Sequence, residues 1–122
     1  MKRDWDVIRE VLIEVETLSE VDRNQFGYGR GDEYADSDNA KSEQALLLWK
    51  AGFIEAIDAG TMAGSAIVAP ELTWQGHDLL DILRSKPVWE RIKKTAQEKG
   101  IELTFDAVKA LGKAALTTIF GS

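Results

Sequence analysis

The chain has 122 residues, 44% of them hydrophobic and 30% charged, which is enough apolar surface for one core and too much for a disordered segment. It has no cysteine and one histidine, so disulfides, thiolate nucleophiles and sulfur-ligated zinc are excluded. The net charge of −6 is unevenly spread: residues 1–58 hold 14 acids and 7 cations, whereas residues 59–122 hold 7 and 8.

The sequence start is amphipathic, with Glu10, Glu14 and Glu16 interrupting any apolar signal core. A cytoplasmic protein is expected, and no apolar run is long enough for the roughly 18–20 residues of a bilayer span. Trp5, Ile8, Val11, Leu12, Val15 and Leu18 recur at three- and four-residue steps, which predicts a helix with one buried stripe and Asp4 as its N-cap. Residues 19–36 lose that period and gather glycines and acids, which reads as an acidic, glycine-containing loop with room for a short helical turn. Gly27-Tyr28-Gly29-Arg30-Gly31 echoes a phosphate-cradling loop, but it follows no strand signal and leads into acids, so it reads as a flexible tip. A second helix through Ala45, Leu46, Leu48 and Trp49 has Asp38 or Ser42 as its cap and Gly52 at its end.

Phe53–Ile57 and Ser65–Ala69 then read as the strands of a hairpin over residues 53–70. Thr73 is the expected cap of a helix from Trp74 to about Arg84 that buries Leu79, Leu80, Ile82 and Leu83 in some combination. Pro87 stands where a helix starts, and Gly100 where one ends. Between them Val88, Ile92 and Ala96 form a buried side, and residues 84–99 carry six cations against two acids. Thr104 caps the last helix, with Leu103 and Val108 as a hydrophobic staple.

A helix, a connector, a second helix ending in glycine and a hairpin follow one another in the order of a winged helix-turn-helix. The fold class expected is therefore mainly α with a small β-hairpin: one winged-helix-like domain over residues 1–122, extended by C-terminal helices over 74–120. Met1-Lys2-Arg3-Asp4-Trp5-Asp6-Val7-Ile8-Arg9, Leu47-Leu48-Trp49-Lys50-Ala51-Gly52-Phe53-Ile54, and Leu72-Thr73-Trp74-Gln75-Gly76-His77-Asp78-Leu79-Leu80-Asp81 followed by Val88-Trp89 resemble the bacterial and prophage family catalogued as domain of unknown function 2513. The resemblance covers nearly the whole chain, and its Leu-Thr-Trp-x-Gly-His-x-x-Leu-Asp stretch is its most specific part. It implies a winged-helix-like fold and no established activity. Glu43-Gln44 stand where members often have an aromatic–histidine pair, so no role of that histidine is carried over.

Two uses of such a fold follow from the side chains. Glu10, Glu14, Glu16, Glu20, Asp22, Asp32, Glu33, Asp36 and Asp38 form a candidate acidic surface for a protein partner, with mimicry of nucleic acid as its narrower form. Trp49 is a candidate interface aromatic. The alternative is a dimeric DNA-binding regulator that uses Lys41, Gln44, Lys50, Arg91, Lys93 and Lys94. The reading helix holds few cations, and the wing from Asp58 to Gly64 holds none, which disfavours phosphate-driven affinity. The last helix offers Phe105, Val108, Leu111, Ala115, Leu116, Ile119 and Phe120, a surface through which two copies would pair. His77 with Asp81 one turn on reads as a structural hydrogen bond, and Trp74 as a cover for the wing. Neither a cofactor nor a metal site is expected, and no nucleophile–base pair marks an enzyme.

Overall fold

Asp4 opens the first helix in the computed structural model, which describes residues 3–29, 39–62 and 64–120. Its carboxylate accepts the Val7 N–H at 3.3 Å, and helix α1 runs over Trp5–Thr17 with Ile8, Val11, Leu12 and Val15 buried. The stripe read from the sequence is thus the face that packs, against α3, which spans Asn39–Lys50. The chain divides into two units, Met1–His77 and Asp78–Ser122, with the boundary inside a helix.

In the first unit the segment read as a loop over 19–36 contains two elements. Ser19 Oγ accepts the Asp22 N–H and starts the five-residue helix α2, Glu20–Asn24. Strand β1 follows at Gly27–Gly29. It pairs antiparallel with β3, Ala66–Leu72, in the register Gly27↔Val68, Tyr28↔Ile67 and Gly29↔Ala66. Gly27 is therefore no flexible tip: a Cβ there would stand 2.7 Å from the Ile67 carbonyl oxygen, so glycine permits the close approach of the two strands.

Helix α3 starts at Asn39, which puts Ser42 inside it and not at its cap; Asp38 lies outside the described residues. Ser42 is buried, and its Oγ accepts the Gly29 N–H at 3.4 Å. Gly52 ends α3 as expected, at φ 89°, with its N–H on the Trp49 carbonyl and the Phe53 N–H on the Leu48 carbonyl. Strand β2, Ile54–Asp58, pairs antiparallel with β3, and the sheet order β1-β3-β2 places β3 in the centre.

β3 continues past Pro70, where a strand end was expected. Ile57 faces Val68 and Glu55 faces Glu71, so Ala56 alone stands opposite Ala69 and Pro70. This bulge absorbs the proline, and Ala69 takes φ 55° to make it. The helix–connector–helix–hairpin order expected from the sequence is present, and β1, which lies within the connector, makes the hairpin a three-stranded antiparallel sheet.

Helix α4, Trp74–Arg84, is capped by Thr73, whose Oγ1 accepts the Gly76 N–H at 3.1 Å. Beyond the unit boundary α4 buries Leu79, Leu80, Ile82 and Leu83. Helix α5, Lys86–Lys99, has Pro87 in its first turn and buries Val88, Trp89, Ile92 and Ala96. Gly100, at φ 66°, ends it. Thr104 Oγ1 accepts the Ala107 N–H and opens α6, Phe105–Phe120, which packs on α5 and has Val108 fully buried. No described helix is long and apolar enough to cross a membrane.

Candidate functional site

Two of the side chains proposed for DNA contact, Gln44 and Lys41, are already engaged. Gln44 is 4% exposed, and its Oε1 accepts the Asp4 N–H at 3.1 Å, tying α3 to the start of α1. Reading it as a base contact is therefore corrected: buried amides are held by internal partners, and this one joins two helices. Lys41 Nζ reaches Glu14 Oε2 at 3.2 Å, while Tyr28 Oη donates to Glu14 Oε1 at 2.7 Å. Burial, followed by the hydrogen bond and charge of Glu14, raises the Tyr28 pKa above the ordinary phenol range, so the ring is held as a neutral donor. Glu14 thus belongs to a bridge joining α1, β1 and α3.

Of the other acids proposed for a contact surface, Glu10, Glu16, Glu20 and Asp22 are exposed. Asp32, Glu33, Asp36 and Asp38 lie outside the described residues. Lys50 is exposed in the last turn of α3, and Trp49 is half-buried. Arg91, Lys93 and Lys94 are exposed on α5, in the other unit from Lys41, Gln44 and Lys50. Lys93 Nζ is 3.1 Å from Glu90 and lies 5.8 Å over the Trp89 ring, so part of that cationic face is internally balanced. In α6 Val108 and Ala115 are buried, and the side chains of Leu116, Ile119 and Phe120 lie outside the described ones.

The structure brings together a different group. An open groove of about 620 Å³ in the first unit is lined by the α3–β2 turn, the paired ends of β2 and β3, and the first turn of α4. Its residues are Gly52, Ile54, Glu55, Glu71, Leu72, Thr73, Trp74, Gln75 and His77, with no lysine or arginine among them.

Three residues of the Leu72–His77 stretch hold this geometry. Leu72 is buried opposite Ile54. Thr73 donates its N–H to the Phe53 carbonyl at 3.1 Å and its Oγ1 hydroxyl to the Gly52 carbonyl at 2.7 Å. Gly76 lies so close to Phe53 that a Cβ would meet its carbonyl oxygen at 2.1 Å.

The two ring-bearing residues of the stretch have no such structural task. Trp74 is 84% exposed, which corrects the reading of it as a cover for the wing. His77 is also exposed, its ring centroid 6.2 Å from that of Trp74 and tilted by 53°. Its N–H donates to the Thr73 carbonyl, and among the described residues no side-chain hydrogen bond ties it to Asp81, contrary to expectation. Glu55 and Glu71 are not singled out by the sequence, and Trp74 reads there as a cover for the wing. A tryptophan at the first helical position has no periodic signal to assign its face, and the two glutamates meet only through strand register.

Among the described residues no group of three His, Asp or Glu side chains is placed to hold a metal ion. The family model described as Hypothetical protein (DUF2513) matches residues 2–102. An uncharacterized protein of Haemophilus influenzae is 37% identical over 122 residues, with 96% of this chain and 97% of the relative covered. No solved structure matches.

Proposed function

The chain belongs to the DUF2513 family, and from that premise we propose that it is a non-enzymatic accessory or regulatory protein of the cytoplasm that works by binding another protein through its winged-helix-like unit, Met1–His77. The observation that carries this reading is Trp74, 84% exposed on the rim of the groove and held from below by capped, hydrogen-bonded backbone. Burying most of an indole removes roughly 150–200 Å² from water, a gross gain of about 4 kcal/mol before ordering costs. Tryptophan is among the residues that dominate protein interfaces.

Charge supports the same reading. The first unit carries 15 acids against 7 cations, a net −8, and the second carries 6 against 8. A surface of that sign attracts basic polypeptide and repels a phosphate backbone. Engagement of Gln44 and Lys41 inside the fold weighs against base reading by α3.

Replacement of Trp74 by the photo-cross-linker p-benzoylphenylalanine tests the proposal. Irradiation in lysate of a host bacterium is expected to give a discrete protein adduct from position 74 and none from the exposed Gln97 on α5. Equal labelling from the two positions, or no adduct from position 74, would overturn it.

A further inference from the structure

We infer that the groove receives an arginine side chain of the partner, its guanidinium stacked on the Trp74 indole and facing the carboxylates of Glu55 and Glu71. This rests on the interaction reading above and names its chemistry. Glu55 and Glu71 stand directly opposite each other on β2 and β3, so they project from the same face of the sheet. Side chains in that relation have Cβ atoms about 4.5–5.5 Å apart, and like charges there repel.

Internal compensation is incomplete. The one ion pair described for Glu71 is with Arg23 at 3.7 Å, longer than the roughly 2.7–2.9 Å of a charge-assisted hydrogen bond, and its side chain stays 59% exposed. Glu55 is exposed and has no ion pair among the described residues.

A planar cation satisfies the carboxylates and the indole together. Guanidinium stacks on an aromatic face and presents a fork of N–H donors to carboxylates, whereas the ammonium of lysine is a hydrated point charge without a plane to stack. The His77 ring stands beside the indole on the same groove. The volume of about 620 Å³ exceeds what one guanidinium fills, leaving space for the backbone that presents it. The net −8 of the unit steers such a segment towards the groove.

The test uses the full chain labelled with ¹⁵N and titrated with acetyl-Gly-Arg-Gly-Arg-Gly-amide or its citrulline twin, which keeps the shape and removes the charge. The Trp74 indole N–H resonance, assigned by its loss in Trp74→Phe, is expected to shift saturably with the arginine peptide. Binding of the citrulline twin should be at least roughly fivefold weaker, and Glu55→Gln should weaken the arginine peptide by about two- to fivefold. Both variants alter exposed side chains, so the fold is retained.

Equal response to the two peptides, or no movement of the Trp74 resonance, would overturn the inference. Movement of that resonance on simple dilution of the chain would also overturn it, because a second copy would then fill the groove. If position 74 cross-links a discrete protein while the peptides bind alike, the interaction reading stands and the arginine assignment falls.

Discussion

Gly76→Ala is the sharpest probe of the framework beneath the groove. The added methyl carbon would stand 2.1 Å from the Phe53 carbonyl oxygen, 3.2 Å from its carbon and 3.4 Å from Leu72 Cβ. Ordinary carbon–oxygen contact begins near 3.3 Å, so α4 and the Phe53 turn must part by about 1 Å. The contacted atom is backbone, so no rotamer change relieves it.

That movement breaks the two bonds that Thr73 gives to this turn, at 3.1 Å to Phe53 and 2.7 Å to Gly52. Their loss costs about 1 kcal/mol each, and residual overpacking adds about 1–3 kcal/mol. Better helix propensity of alanine returns at most about 1 kcal/mol. The net expectation is a loss of about 2–4 kcal/mol. With m of about 1.5 kcal/mol/M, the urea midpoint followed by circular dichroism should drop by roughly 1.3–2.7 M.

Gly112→Ala supplies the contrast. The three atoms nearest its methyl all belong to the Ile82 side chain, the closest at 2.8 Å, and a side chain can yield. It should lose less than half of what Gly76→Ala loses. An unchanged or higher midpoint for Gly76→Ala, or the reverse ranking of the two variants, would refute the close-approach argument.

Three further outcomes follow. Ala69→Gly removes the left-handed strain at φ 55°, worth about 1–2 kcal/mol, against a glycine entropy cost of about 0.5–1 kcal/mol, so a urea midpoint raised by a net ~0.5–1 kcal/mol is expected and a lowered one counts against the strain. Tyr28, whose pKa is raised in the folded state, contributes stability that is full below the unfolded phenol pKa of about 10 and is lost as pH rises towards the folded value. Wild-type stability should therefore fall above that pH more steeply than that of Tyr28→Phe, and parallel pH profiles would contradict the Glu14–Tyr28 bridge. Duplex DNA mixed with the chain should give no electrophoretic shift even at ~50 mM salt, and a shift that weakens as salt rises would revive the regulator reading through Lys50 and the α5 cations.

Local chemistry was legible wherever one short segment decides its own structure. Asp4, Thr73 and Thr104 cap helices because their side-chain oxygens reach N–H groups three residues on, and Gly52 and Gly100 end helices because they take positive φ. The buried stripes of α1 and α5 were visible from period alone. Features set by distant partners were not. β1 has three residues and no pattern, and exists because β3, about 40 positions away, offers it a ladder. Gln44 looked like a surface amide until Asp4, also 40 positions away, took its oxygen. The groove was hidden for the same reason: Glu55, Glu71 and Trp74 come together only once the bulge at Ala69 and Pro70 has fixed the β2–β3 register.

The clamp of Thr73 on the α3–β2 turn has a kinetic consequence. Trp74 follows directly after a residue bonded through both its N–H and its hydroxyl, with Gly76 seated against the same turn two positions later. The backbone bearing the indole is therefore immobilised before any encounter, and a visitor need restrict only two side-chain torsions. On the proposed interaction such a prepared anchor would lengthen the partner's residence, so substitutions that loosen Thr73 should quicken release while leaving arrival almost untouched.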